Sequence, residues 1–203
     1  MRRNQQGFTL IEIAAVLVII GLLLGGVFKG RELMNSAKVK NLANDYQGVQ
    51  AAIATYYDRY RVWPGEDMQA STRFTGAVAA DNCVGATCGN GIIDGNWNST
   101  TNANESRLIW RQLRLAGLVP GSGFQQPSHA LGGMIGVTGS QALNGVVNVN
   151  RIVMQNISGD MANSIDASMD DGFMDLGKMR AANVGTTGTA YTPATLYTVW
   201  WQY

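Results

Sequence analysis

Histidine is almost missing. The chain of 203 residues holds one, His129, and two cysteines, Cys83 and Cys88. A structural zinc site wants four such ligands, so a His/Cys zinc centre is nearly excluded. A Ser-His-Asp or Cys-His enzyme would have to rest on His129 alone. Charge is scarce as well. Charged residues are 14% of the chain, against about a quarter in ordinary soluble domains. Fifteen basic residues offset 14 acidic ones, for a net charge of +1, and nothing in that balance asks for a nucleic acid or an acidic substrate. What is plentiful is apolar material, at 46%, and glycine, with 25 residues. A loop-rich, weakly charged exported domain is the first expectation.

The apolar residues are concentrated at one end. Residues 8–28 read FTLIEIAAVLVIIGLLLGGVF, with one charge, Glu12. As a helix this stretch is about 31 Å long, the hydrocarbon thickness of a bilayer. A signal peptide has a shorter apolar region followed by a small-residue cleavage site. Here Gly21, Gly25, Gly26 and Gly30 do not form one, so a membrane helix is the better reading. Glu12 lies four residues in. An ionised carboxylate in hydrocarbon costs a few kcal/mol or more and demands a partner. Before the stretch comes a short, basic, polar leader, MRRNQQG.

The hexapeptide Gly7-Phe8-Thr9-Leu10-Ile11-Glu12, behind that leader and opening that apolar stretch, resembles the cleavage and methylation signature of type IV prepilins and type II secretion pseudopilins. The resemblance implies that a membrane aspartic peptidase, the prepilin peptidase, cuts after Gly7 and methylates the new amino terminus on Phe8. It implies a leader in the cytoplasm, which Arg2 and Arg3 against Lys29 and Arg31 do not decide. It also supplies the partner for Glu12: in a filament of identical or related subunits, the carboxylate meets the Phe8 amine of a neighbour. Two charges 4 Å apart attract by about 4 kcal/mol at an effective dielectric of 20.

Residues 29–61 contain no proline, and Val39, Leu42, Tyr46, Val49, Ile53, Tyr56 and Tyr60 step by three and four. That is a helical stripe, and Pro64 ends it by disfavouring helix at Trp63. One helix of about 80 Å is expected, apolar all round in its first half and amphipathic in its second. Many filament pilins carry a proline soon after the glycine region; this chain does not. In 62–203, residues 105–116 read as a helix with Asn104 at its N-cap and Gly117 as its stop. Residues 145–157 read as a strand or hairpin arm, 158–172 as a short helix capped by Ser158, and TLYTVWWQY as a final strand. The fold class is therefore α+β: a long N-terminal helix packed on a small antiparallel-sheet head, pilin-like. The segments are a leader (1–7), a transmembrane and assembly helix (8–28), its amphipathic continuation (29–61) and a globular exported head (62–203). YYDRYRVWPGEDM, the stretch from GNGIIDGNWN through ESRLIWRQLRLAGLV, and ISGDMANSIDASMDDG with MRAA also resemble a prepilin-like subgroup.

An exported head meets an oxidising compartment, so Cys83 and Cys88 are expected to pair. Asp170, Asp171 and Asp175 are the candidates for a calcium ion, although no EF-hand spacing is present; no other cofactor is expected. His129 reads as an ordinary loop residue, and Trp200 and Trp201 as core and rim. The function expected is a structural subunit of a type IV pilus-like filament. The alternative is a type II secretion pseudopilin. A membrane-anchored enzyme or binding protein is remote, for want of histidines, a ligand set or a nucleophile elbow. Expected partners are other pilin subunits, the peptidase, an inner-membrane assembly platform and, before assembly, the lipid bilayer. The precursor belongs in the inner membrane with its head in the periplasm, and the product in an extracellular pilus or a periplasmic pseudopilus.

Overall fold

The computed structural model describes residues 9–143, 145–182 and 190–203. It divides into two compact units, residues 1–38 and 39–203. The first helix, α1, runs Leu10–Tyr60 and belongs to both.

In the first unit every described side chain is exposed. Leu10 is 88% and Leu22 74% accessible, so among the described residues nothing covers this apolar cylinder. Among the described residues α1 is the one helix long and apolar enough to cross a membrane.

In the second unit the stripe read from the sequence turns inward. Leu42, Tyr46, Val49, Ile53 and Tyr56 are buried, and Val39 and Tyr60 are half-buried against the same core. Burying each large side chain of this kind is worth about 1.5–3 kcal/mol. The helix stops where expected. Arg61 takes a left-handed conformation, φ 56°, and its N–H bonds the Tyr57 carbonyl at 2.7 Å, a C-terminal cap. Trp63 then folds back to stack on Tyr57, ring centroids 4.4 Å apart.

The stripe packs on an antiparallel sheet of β1 (Ile135–Thr138), β2 (Arg151–Ser158), β3 (Met179–Ala182) and β4 (Leu196–Gln202), in the order β1-β2-β4-β3. Register puts Val137, Ile152, Trp201 and Met179 in one row and Ile135, Met154, Val199 and Ala181 in the next. All eight belong to the core shared with α1, and Tyr46 stacks on Trp201 at 4.9 Å. On the opposite face Val153 and Trp200 pack with Trp97 in a smaller cluster. Around the sheet lie α2 (Ala70–Arg73), a 3-10 turn (Ala79–Asp81), α3 (Glu105–Leu115) and α4 (Gly159–Met169). The strand read at 145–157 is corrected: β2 begins only at Arg151, because Gly145 and Asn148 take positive φ and break the extended run. The caps are corrected too. Asn104 and Ser158 occupy the N-cap positions of α3 and α4, but neither side chain caps; the Asn104 amide donates to Ser99 Oγ instead.

Candidate functional site

The chemistry the sequence points to lies at the start of α1. Gly7 and Phe8 lie outside the described residues. Thr9 and Glu12 are described, and they pair with each other. The Thr9 carbonyl accepts the first helical bond, from Ile13 N–H, so Thr9 is the N-cap. Its N–H and its hydroxyl both donate to Glu12 Oε2 at 2.8 Å, and Glu12 N–H donates to Thr9 Oγ1 at 3.3 Å. That is a reciprocal capping box. Sequence reasoning assigned Glu12 only a partner on another chain and missed this one, although T-x-x-E before an apolar run was the signal. All three bonds use one carboxylate oxygen or the hydroxyl. Oε1 makes none among the described residues, so the side chain is held by one oxygen and presents the other.

At the far end of the apolar stretch Lys29 pairs with Glu32 at 2.7 Å in full exposure. Such a pair is worth little in energy.

In the second unit the expected disulfide is present: Cys83 and Cys88 are bonded, with Cα atoms 5.9 Å apart. Near it the polar residues form a knot that sequence reasoning did not foresee. Gln112, fully buried, accepts from Gly65 N–H at 2.6 Å and donates to the carbonyls of Asp67 and Asp81 at 3.1 and 2.9 Å. Asp67 accepts from Tyr56 Oη, Arg73 Nε and Gln69 N–H, each at 2.8 Å. Asp81 is gripped by two Arg111 nitrogens, at 2.8 and 3.1 Å. Burial works against its charge, yet the Arg111 hydrogen bonds prevail and hold it below the usual range. Gly65 sits at φ +98°, and a Cβ there would meet the Glu105 carbonyl at 2.8 Å, so this turn is closed to other residues.

Glu66 and Glu105 are buried, and among the described residues neither is in an ion pair. Glu66 accepts Gly91 N–H at 2.9 Å and Glu105 accepts Asp94 N–H at 2.8 Å. Together they pin the 89–95 loop. Burial pushes both above the ordinary glutamate range, and the backbone N–H bonds offset only part of that.

Of the calcium candidates, Asp170 and Asp171 are exposed and gather with buried Asp166, ligand oxygens within 4.8 Å of one another. Asp175 is not in that group, and its Oδ1 is buried without a hydrogen bond. Asp166 already accepts from Tyr191 Oη at 2.5 Å and Gly172 N–H at 3.2 Å. Asp170 Oδ2 accepts Met179 N–H at 2.7 Å. His129 is not the ordinary loop residue expected. It is buried, its Nε2 bonds the Gln155 carbonyl at 2.8 Å, and its Nδ1 accepts Leu131 N–H at 3.2 Å, which fixes the 128–134 turn on β2.

Residues 2–28 match the family described as the prokaryotic N-terminal methylation motif. That segment is similar to the amino-terminal region of type IV prepilins. Similar curated proteins agree with that. It is 29% identical to a fimbrial protein, EcpC, of Eikenella corrodens, over 49% of this chain and 67% of that one. It is 26% identical to the type IV major pilin protein PilE of Neisseria gonorrhoeae, over 49% of this chain and 60% of that one. A fimbrial protein of Neisseria meningitidis matches at 26%, over 52% of this chain and 62% of its own. The chain spans between 60% and 67% of the length of these curated relatives. No solved structure matches it. The relatives are fimbrial and pilin proteins by name, and the long apolar helix and the four-stranded antiparallel sheet are the elements expected from the sequence.

Proposed function

We propose that this chain is a structural subunit of a type IV pilus-like filament, cut after Gly7, methylated on Phe8 and assembled through its N-terminal helix. One observation carries the reading: an apolar helix segment that no other described residue covers, holding Glu12 near its start within a matched methylation motif. Before assembly the lipid bilayer covers that surface; in the filament the helices of neighbouring subunits do. Cleavage frees an amine on Phe8, and Glu12 Oε1 is the group it meets on an adjacent subunit. Removing one partner of a buried ion pair strands the other and costs about 3–5 kcal/mol, so the uncut precursor, with an acid and no amine, assembles poorly.

The prepilin peptidase and an inner-membrane assembly platform are the partners this route requires, with the head in the periplasm until export. Mass spectrometry of the mature protein tests the cut: a methylated Phe8 terminus is expected. Shearing cells tests the destination. Subunit in the sheared fraction means a surface pilus, whereas bare cells that lose protein export mean a type II secretion pseudopilus. Glu12→Ala is expected to be cut normally and to give few filaments; normal filament yield would overturn the pairing. Of the expected calcium ligands, Asp170 and Asp171 gather with Asp166, and Asp175 stands apart from them. Calorimetric titration of the head with calcium, against an Asp171→Asn variant, tests whether they hold the ion.

A further inference from the structure

A filament of identical subunits is held by head-to-tail contacts, which join two unlike patches of the same chain. Two such patches stand out on the head. Phe173 and Leu176 lie on the loop that follows α4, each 51% exposed. Their loop is not loose. Met174 between them is buried in the core, Phe173 N–H donates to Asp171 Oδ1 at 2.9 Å and Leu176 N–H to the Phe173 carbonyl at 3.3 Å. The result is an apolar knob flanked by Asp170, Asp171 and Asp175.

The second patch is the disulfide loop. Val84, just inside the bridge, is 83% exposed, and it borders a hollow of about 280 Å³ walled by Ala80, Asn82, Asn102 and Ala103. Arg107 reaches one wall of that hollow, Asn102. Its hydrogen bonds go to neutral groups only, Asn102 Oδ1 at 2.7 Å and the Ser99 carbonyl and Gln126 Oε1 at 3.0 Å. Among the described residues neither Arg107 nor the three knob carboxylates are in an ion pair.

We propose that the 171–177 loop of one subunit seats Phe173 and Leu176 in the hollow beside the disulfide loop of a second copy, with Asp171 turned to Arg107. The contact rests on the filament reading above. It joins unlike surfaces, so it propagates instead of closing a dimer. Its charges lie at the edge, where they set register more than affinity.

Two single variants test it, Ala103→Cys and Leu176→Cys, each at an exposed position, co-expressed in one strain. Sheared filaments are treated with a short bis-maleimide. Cross-linked dimers are expected when the two variants are mixed and not when either is expressed alone. Filaments that form normally but give no mixed dimers, or as many in the single-variant controls, would overturn the interface and leave the filament reading standing. If the unsubstituted chain gives no filament at all, both fall.

Discussion

Thr9→Val isolates the capping box at the start of α1. Valine keeps the shape of threonine and removes the hydroxyl. Two of the three bonds go: Thr9 Oγ1 to Glu12 Oε2 at 2.8 Å, and Glu12 N–H to Thr9 Oγ1 at 3.3 Å. The bond from Thr9 N–H to the carboxylate stays. An N-cap hydroxyl is worth about 1 kcal/mol, and a hydrogen bond to a charged group about 1.5–3 kcal/mol. Both groups are exposed, so only the N-cap value of about 1 kcal/mol applies, which is roughly a fivefold change in the local opening equilibrium. Amide hydrogen exchange of the uncut chain in detergent micelles reads it directly. The Glu12 amide should exchange about fivefold faster in Thr9→Val, while Thr9→Ser, which keeps the hydroxyl, should match the parent. Residues from Val39 onward should be unchanged in all three. Equal exchange at Glu12 in Thr9→Val and parent would mean that the box does not hold the carboxylate, and Glu12 would again lack a partner before assembly.

The remaining expectations concern the head. Glu66 and Glu105 have folded-state pKa values raised by burial. The stability they confer is therefore complete below the ordinary glutamate pKa, about 4.3, and is lost as pH rises through the folded values. The Tm of the chain should fall as pH rises above the ordinary glutamate value, and Glu105→Gln should flatten that slope; an unchanged or steeper slope in the variant would refute the assignment. Gln112→Leu leaves Gly65 N–H and the Asp81 carbonyl without their side-chain partner, while the Asp67 carbonyl keeps the Cys83 N–H at 2.9 Å; at about 1–3 kcal/mol for each group left unsatisfied, urea unfolding should show a loss of at least ~2 kcal/mol. Tyr56→Phe removes one 2.8 Å bond to Asp67 and should cost about 1–2 kcal/mol by the same measurement. Cys83→Ser with Cys88→Ser opens a loop of sequence separation 5, so the chain-entropy loss is about 2 kcal/mol at most, and the head should stay folded.

How much of this was legible beforehand follows from the range of each signal. The α1 stripe is local and periodic, so Leu42 through Tyr56 could be placed on the core face from spacing alone, and Pro64 marked the stop. The α3 helix and β4 were legible for the same reason: Leu108, Ile109, Trp110 and Leu113 fall on one face, and TLYTVWWQY is rich in strand formers. The pairing of Glu66 with Gly91, or of Gln112 with three backbone groups from Gly65 to Asp81, carries no local pattern. These bonds join residues 25 to 47 positions apart along the chain, and only the folded loop brings them together. His129 misled for a related reason. A lone histidine amid Gln, Pro, Ser and Gly looks like a surface loop, but the turn it stands in closes on β2, and Gly133 leaves the gap the ring occupies: a Cβ there would overlap His129 Nε2 and the Gln155 carbonyl. The functional end of the chain reverses the balance. Leader, apolar run and Glu12 are adjacent in sequence, so the reading needed no tertiary information. What the structure adds there is Thr9, which satisfies within one chain a carboxylate that sequence reasoning could pair only across two.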